Sequence, residues 1–204
     1  MREKDVFKGN PLPKKKYTVI YADPSWDYRD KALAGKRGAS CKYPTLTIDE
    51  LCQLPVKDIT KENAFLFLWT TFPLLEECFE VIKAWGFIYK TIGFVWIKTN
   101  KLNGQLFTGM GNYTRSNAEI CLLATKGKVK RINAAVHSVI ISPIQIHSKK
   151  PNETRRRIVS LVGDVPRIEL FSRHKIAGWD CWGNEVFEEK MLENFLADFL
   201  EVKT

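Results

Sequence analysis

The sequence predicts an α/β fold in which helices alternate with the strands of a mostly parallel sheet. Three observations lead to this class: short apolar runs rich in β-branched and aromatic residues, segments of helical apolar spacing between them, and turn residues at the junctions. The 204 residues suffice for one domain with its own core, and no linker or internal repeat divides them. We therefore predict a single domain over residues 1–204, with residues 1–16 as a flexible basic arm.

The first half of the chain is expected to hold two strands and two helices. The runs 17–22 and 64–70 are apolar throughout and predict buried strands. Between them, a loop over 30–47 contains glycines and lysines. A short helix is predicted over 47–54, and Thr47 and Glu50 have the spacing of a capping box at its start. Apolar residues at helical spacing predict a second helix over 73–85, which a glycine ends.

The middle of the chain is predicted to contain strands joined by a long loop. Residues 87–98 have a strand pattern, and the glycine-rich segment 99–116 that follows them is predicted as a loop. Residues 118–125 are a further strand, and residues 136–141 are a weaker candidate.

The last third is predicted as a helix, a strand and a terminal helix. A proline in its first turn begins the helix over 151–162, and the strand follows over 167–171. Residues 184–199 form an amphipathic terminal helix. Ligands of such α/β sheets bind beyond the carboxyl ends of the strands, so candidate site residues are sought there.

Composition restricts the class of protein. The net charge of +9 and the pI of about 9.3 favour a polyanionic partner such as nucleic acid, although many basic proteins bind none. The five cysteines are widely spaced, the three histidines do not cluster, and no apolar stretch has the length of a membrane span. We expect a reduced, cytoplasmic protein that has no metal site and does not enter a membrane.

The tetrad Asp23-Pro24-Ser25-Trp26 directly follows the first predicted strand. It is either a plain strand-ending turn or a platform for the exocyclic amine of a base. The Asp23 carboxylate and the Pro24 carbonyl are two acceptors for the two amine hydrogens, and Trp26 offers a face on which a flipped base can stack. This combination suits methylation of an adenine amine, whose lone pair must be drawn out of conjugation with the ring.

The tetrad resembles the D-P-P-W motif of amino-directed methyltransferases. Together with the end of the preceding strand, residues 21–27 resemble the motif as it occurs in one family. This is the family of the mRNA N6-adenosine methyltransferase catalytic subunit (MT-A type), with its bacterial and phage members. Ser25 stands where the family has a second proline, which loosens the loop and adds a hydroxyl group. Seven further segments resemble this family in the same order: 43–45, 65–69, 96–100, Glu119 after 112–115, 147–151, 167–173 and 179–185.

The resemblance implies roles for individual residues. It places the target base beside the tetrad and beside Tyr43, Arg115 and Glu119. It implies S-adenosylmethionine as the cofactor, bound by Asp23, Lys150, Glu169, Phe171, Arg173, Asn184 and Glu185. Lys150 would pair with the carboxylate of the methionine part of the cofactor. The alternatives are an ordinary ion pair for Glu169 and Arg173, a solvated basic patch around Lys150, and core packing for Trp179 and Trp182.

The resemblance also implies a topology and a reaction. The tetrad precedes the predicted cofactor strand, an order that fits a circularly permuted, Rossmann-like methyltransferase fold. We expect methyl transfer to the N6 amine of adenine in DNA, because the sequence lacks the zinc fingers expected of an RNA enzyme with accessory domains. The same reaction on RNA is one alternative, and a catalytically silent nucleic-acid-binding homologue is another. The protein is expected to be a monomer or a homodimer.

Overall fold

The computed structural model describes residues 10–27, 45–111, 113–145 and 149–183. Its strands are β1 (Tyr17–Ala22), β2 (Thr60–Thr70), β3 (Ile88–Thr99), β4 (Ala118–Lys126), β5 (Val139–Pro143), β6 (Arg167–Leu170) and β7 (Asp180–Trp182). Its α-helices are α1 (Ile48–Gln53), α2 (Leu75–Ala84) and α3 (Asn152–Val162). Two short 3-10 helices, Val56–Ile59 and Phe72–Leu74, lead into β2 and α2.

The strands form one mixed sheet in the order β5-β3-β4-β2-β1-β6-β7. In this sheet β4 is antiparallel to both of its neighbours, and the other neighbouring pairs are parallel. The predicted α/β class and the mostly parallel sheet are confirmed. Because β4 is reversed, its first residues lie at the same edge as the carboxyl ends of the other strands. Side chains from both kinds of strand end can therefore meet there.

Helices cover both faces of the sheet. On one face, α1 and α2 pack against apolar side chains of β1, β2, β4 and β6. On the other face, α3 contributes Ile158 and Val162 to a core with Tyr21, Phe67 and Phe94. We call this second side the α3 face. The two cores arise from the alternation of side chains along the strands, so neighbouring residues of a fully buried strand segment serve different faces.

Local sequence signals account for several element ends. Thr47 caps α1, and the side chain of Glu50 accepts a hydrogen bond from the backbone N–H of Thr47 at 2.8 Å, as the capping box predicts. Gly86 follows α2 with a φ of 80°, a conformation that favours glycine. Pro151 is the N-cap of α3 and not a residue of its first turn.

Other elements differ from the prediction. β2 begins at Thr60, four residues earlier than expected, because parallel pairing of Thr60 with Tyr17 extends the strand through polar residues. β5 spans Val139–Pro143 and is shifted from the predicted 136–141. The three residues of β7 are too few to give a periodic signal, and pairing with β6 makes them a strand. The predicted terminal helix and most of the 30–47 loop lie outside the described residues.

The described part of the predicted arm is attached to the sheet. The side chain of Asn10 donates to the Gly183 carbonyl at 2.9 Å, and the Trp182 indole donates to the Asn10 carbonyl at 2.9 Å. Lys15 forms an ion pair with Asp180 at 2.7 Å. Residues 10–16 are irregular, as expected, but they bind β7 and the residue that follows it.

Candidate active site

Four charged side chains meet where the carboxyl edge of the sheet joins the α3 face. Asp23 follows β1, Lys98 is near the end of β3, Glu119 is the second residue of β4, and Lys150 precedes α3. Their strands place them on one face, because Trp96 pairs with Glu119 and both Trp96 and Tyr21 belong to the α3-face core. Residues from four separate segments of the chain thus form one cluster.

The cluster is a chain of alternating charges. The Lys150 ammonium lies 2.8 Å from a carboxylate oxygen of Asp23 and 3.2 Å from Glu119 Oε2. The Lys98 ammonium lies 2.6 Å from Glu119 Oε1. The Lys150 side chain is 8% exposed and that of Asp23 is 25% exposed, so the shared cation is buried while Asp23 is partly open to solvent. We call Asp23, Lys150, Glu119 and Lys98 the four-charge chain.

Mutual attraction sets the ionisation of these groups. Burial raises the pKa of Asp23, although the neighbouring Lys150 ammonium opposes the rise. Burial also acts to raise the pKa of Glu119, but the ammonium groups of Lys150 and Lys98 outweigh it and hold that pKa below its usual value. Burial acts to lower the pKa of Lys150, and the carboxylates of Asp23 and Glu119 more than reverse this. Lys150 is therefore a cation throughout the physiological range.

Aromatic residues form the floor beneath Lys150. Its ammonium lies 5.7 Å from the ring centre of Trp69, a cation–π distance. The Trp69 indole donates to the Tyr21 hydroxyl at 2.7 Å, which fixes the orientation of the ring. Since Trp69 and Tyr21 are both buried in the α3-face core, the cluster rests on a rigid support.

Trp26 lies in a different position from the one that stacking on a base requires. It is 5% exposed, packs in the core on the α1 and α2 side, and donates its indole N–H to the Trp69 carbonyl at 3.0 Å. In this structure the Trp26 ring braces the loop that carries Asp23 and is not an open stacking face. Sequence position alone did not reveal this, because a tryptophan after a strand end has the same pattern whether it points outward or inward.

The backbone of the tetrad forms a tight turn. The Trp26 N–H donates to the Pro24 carbonyl at 3.0 Å, and the Leu46 N–H donates to the Ser25 carbonyl at 2.9 Å. The Pro24 carbonyl, predicted as the second acceptor for an amine, thus already accepts one hydrogen bond and has one further lone pair.

A second buried ion pair lies beside the cluster on β6. Glu169 is 6% exposed, and its two oxygens accept from Arg155 at 2.5 and 2.6 Å in a bidentate pair. The Arg155 guanidinium also lies 5.7 Å from the ring centre of Tyr21. Arg155 is therefore a bidentate ion-pair partner of Glu169. In the sequence, Arg155 is only one of several basic residues around the start of a helix, and no spacing pairs it with Glu169.

The end of β6 has strained backbone. Phe171 has a φ of 63°, a conformation that costs a residue with a side chain of the order of 1–3 kcal/mol. Its ring packs edge-on against Trp182 at 5.7 Å. A Cβ at Gly183 would lie 2.2 Å from the Ser172 carbonyl oxygen, so only glycine fits there. The predicted cofactor residue Phe171 is thus held in a fixed, unusual geometry beside the sheet edge.

Not all predicted site residues are brought together. Tyr43, Asn184 and Glu185 lie outside the described residues. Arg115 is exposed on the loop after β3, and its guanidinium contacts the Met110 sulfur at 3.0 Å. Arg173 is half-buried just beyond Phe171. The structure adds Lys98 and Arg155, which the sequence did not single out as site residues.

The two tryptophans of the last matched segment contribute to packing. Trp182 is 4% exposed in the core on the α1 and α2 side, and Trp179 packs against the α3-face core. This agrees with core packing, the alternative given for both.

In the described ranges, no group of three or more histidine, cysteine or acidic side chains is arranged to hold a metal ion. Of the helices that the structure describes, none is both long and apolar enough to cross a bilayer.

Comparison with known proteins places these residues in context. The sequence profile of the MT-A70 family matches residues 17–185. The type II methyltransferase M.MunI of a Mycoplasma species is 37% identical over 198 residues, which cover 88% of this chain and 82% of that protein. The human N(6)-adenosine-methyltransferase catalytic subunit METTL3 is 31% identical over 175 residues, or 84% of this chain and 28% of METTL3. The Drosophila melanogaster MT-A70-like protein is 30% identical over 175 residues and is covered to 27%.

Proposed function

The chain belongs to the MT-A70 family, and on that premise we propose that it methylates the N6 amine of adenine in nucleic acid, with DNA as the preferred substrate. The observation that carries the proposal is the ion pair between Asp23 and Lys150. It places an acceptor of amine hydrogens next to a cation, at the edge of the sheet where ligands of α/β folds bind. A buried lysine with two carboxylate partners and a partly open acid is an arrangement suited to a charged cofactor.

The residues present fit S-adenosylmethionine. Its methionine end is a zwitterion, and the 2.8 Å pair of Asp23 and Lys150 offers an anion for the ammonium group and a cation for the carboxylate. Glu169, Phe171 and Arg173 lie together at the end of β6, where we propose that they hold the nucleoside part. Arg155 neutralises Glu169 and fixes its position. When bound, S-adenosylmethionine supplies a methyl group already activated by its sulfonium.

The protein acts on the adenine amine by positioning it. We propose that the Asp23 carboxylate accepts one N–H of the amine and that the remaining lone pair of the Pro24 carbonyl accepts the other. These two hydrogen bonds draw the nitrogen lone pair away from the ring and aim it at the methyl donor. Tyr43, Glu119 and Arg115 are retained in the proposal as residues on the substrate side, and Asn184 and Glu185 as residues on the cofactor side.

A circularly permuted methyltransferase topology is part of the proposal. β1, which carries Asp23, and β6, which carries Glu169, are neighbours in the sheet although they come from opposite ends of the described chain. Neighbouring strands so far apart in sequence are what a permuted order of the substrate and cofactor segments requires. One domain over residues 1–204, a cytoplasmic location, and a monomer or homodimer complete the proposal.

We propose DNA rather than RNA as the substrate, and the extent of the two matches supports this choice. M.MunI is matched over most of its length, whereas METTL3, whose name specifies the ribonucleoside adenosine, is matched over 28% of its length. RNA is the alternative substrate of the same reaction.

A second candidate function is a silent nucleic-acid-binding homologue. Two observations favour it: Ser25 replaces the second proline of the D-P-P-W motif, and the Trp26 ring is buried.

The testing experiment is methyl transfer from labelled S-adenosylmethionine to matched single-stranded and duplex DNA and RNA, with digestion to nucleosides. We expect label in N6-methyladenine from DNA. Label from RNA alone would change the substrate and keep the reaction. No label from any substrate, together with no heat of S-adenosylmethionine binding by calorimetry, would favour the silent homologue.

A further inference from the structure

The segment between β3 and β4 exposes apolar side chains next to the active-site cluster. Four large hydrophobic residues of this segment are open to solvent: Leu102 (101%), Leu106 (63%), Met110 (73%) and Tyr113 (101%). Several such side chains on one loop make that loop a candidate contact surface. We call these four residues the loop hydrophobics.

The loop that carries them has a defined shape. Near its base, Thr99 and Leu106 form an antiparallel bridge, and further along the Gly109 N–H donates to the Ser116 carbonyl at 2.7 Å. A Cβ at Gly109 would lie 2.8 Å from that carbonyl oxygen, and a Cβ at Gly111 would clash with the Thr114 carbonyl. The close backbone approaches on either side of Met110 therefore depend on glycine.

The base of the loop is joined to the four-charge chain. The Asn117 side chain accepts from the Lys98 backbone N–H at 3.2 Å and donates to the Lys98 carbonyl at 3.0 Å. The Lys98 ammonium in turn binds Glu119 at 2.6 Å. The loop hydrophobics are thus presented at the same edge of the sheet as Asp23, the residue that we propose binds the target amine.

The charge of the loop favours nucleic acid over protein. Between Thr99 and Ala118 the sequence contains Lys101 and Arg115 and no acidic residue. The hydrophobic positions are separated by polar and cationic ones, and this stretch has no carboxylate to repel a polyanion. Cations beside isolated aromatic and aliphatic side chains match a partner with phosphates outside and flat apolar bases inside.

We propose that Tyr113, together with the exposed Met110 and Leu102 of the same loop, is a wedge that stacks on the bases beside the target adenine and keeps the duplex open. A base that leaves a duplex loses its stacking, and an apolar or aromatic side chain beside the gap offsets that loss. Lys101 and Arg115 hold the neighbouring phosphates. This inference rests on the proposed function, since it assigns a role to the loop in presenting the same adenine.

The test compares Tyr113→Ala with Tyr113→Phe, which keeps the ring, and with Ile132→Ala, which removes an exposed hydrophobic residue from another loop (71% exposed). Methylation is measured on a duplex and on its single target strand. Tyr113→Ala is expected to lower the duplex rate roughly 10- to 100-fold, the scale of one lost stacking contact, and the single-strand rate about threefold or less. The two control variants are expected to match wild type.

A second readout needs no turnover. The probe is a duplex with 2-aminopurine in a mispair, whose fluorescence rises when the base is unstacked. Wild type, Tyr113→Phe and Ile132→Ala are expected to raise the signal, and Tyr113→Ala is expected to lose most of the rise. This readout tests the wedge even if wild type proves inactive, an outcome that would count against the proposed function alone.

Three results would overturn the wedge. Equal losses on duplex and single strand would mean that Tyr113 acts in general binding. Unchanged duplex methylation with an unchanged 2-aminopurine signal would remove any role in opening. If wild type sediments as an oligomer and Tyr113→Ala sediments with a lower mass, the loop would be a contact between protein molecules.

Discussion

The Lys150 ammonium lies 2.8 Å from the Asp23 carboxylate, although 127 residues separate the two in sequence. The same ammonium also lies 3.2 Å from Glu119. Lys150 is therefore shared, and the ionisation of Asp23 depends on how strongly Glu119 competes for it. Lys98, at 2.6 Å from Glu119, reduces that competition. Four predictions concern this chain and the tetrad, and a fifth concerns the neighbouring Arg155 pair.

Replacing the acid of the tetrad should stop the reaction without unfolding the protein. In Asp23→Ala, Lys150 keeps Glu119 as a partner, so no buried cation is left alone. We expect methyl transfer to fall by about 100-fold or more, the loss typical of a lost transition-state hydrogen bond. Asp27→Ala is the matched control, because Asp27 is exposed four residues further on. Full activity of Asp23→Ala in a labelled-methyl assay would exclude the proposed role of its carboxylate.

The acid side of the pH profile should reflect the raised pKa of Asp23. The ionised carboxylate is the stronger acceptor of an amine hydrogen, so activity falls as Asp23 takes up a proton. Because burial raises the pKa of Asp23, this fall should occur at a higher pH than the value of about 3.9 for an ordinary aspartate. The measurement is kcat/KM against pH. Activity that persists unchanged down to about pH 4 would contradict the prediction.

Removing the Lys98 cation from the end of the four-charge chain should affect Asp23 through Lys150. In Lys98→Met, Glu119 loses its nearer cation and draws Lys150 away from Asp23. We expect kcat/KM to fall about fivefold, which corresponds to roughly 1 kcal/mol for a partly screened pair. The acid limb of the pH profile should move to higher pH, because the pKa of Asp23 rises further. The measurements are kcat/KM for S-adenosylmethionine and the pH at which the acid limb falls.

Two control variants separate charge from packing at this position. Lys98→Arg keeps the cation and should restore both kcat/KM and the position of the acid limb. Lys101→Met removes an exposed lysine three residues away and should leave the acid limb where it is. A Lys98→Met protein with reduced activity but an unmoved acid limb would show that Lys98 matters only for structure.

The buried pair on β6 and α3 should be a strong determinant of stability. Arg155→Met leaves the Glu169 carboxylate buried without its bidentate partner, and such a change typically costs about 3–5 kcal/mol. Replacing both residues by methionine should cost less than the single change, because no charge is then left behind. Urea unfolding of the two proteins and of Arg156→Ala, an exposed neighbour, measures the difference. A double variant less stable than Arg155→Met would contradict this account.

Proline should be accepted at position 25. Ser25 is the central residue of the turn in which the Trp26 N–H binds the Pro24 carbonyl, and among the described residues only Phe171 combines a side chain with a positive φ. The backbone at Ser25 thus has no positive φ that proline would forbid. We expect Ser25→Pro to retain at least about half of the wild-type methylation rate. Complete loss of methylation with retained folding would mean that this loop needs the serine.

The sequence by itself determined the elements whose residues carry a local pattern. The continuous apolar runs at 17–22 and 64–70 became the central strands β1 and β2, and the capping box placed the start of α1 correctly. A local pattern is enough in these cases because burial on both faces, or a cap within one turn, involves residues close in the chain. The motif order likewise identified the family, since Asp23, Glu119 and Lys150 each lie in a recognisable segment.

Only the tertiary structure decided which of these residues touch. Sheet pairing brings Lys98 to Glu119 across 21 residues, and packing of α3 on the sheet brings Arg155 to Glu169 across 14. Packing on the α1 and α2 side turned Trp26 inward, and pairing with β6 made a strand of the three residues of β7. The approach of Lys150 to both Asp23 and Glu119 made it a shared cation. Ion pairs and hydrogen bonds form according to distance in space. A single sequence records position along the chain, so it gives the chemical groups of this site and not their partners.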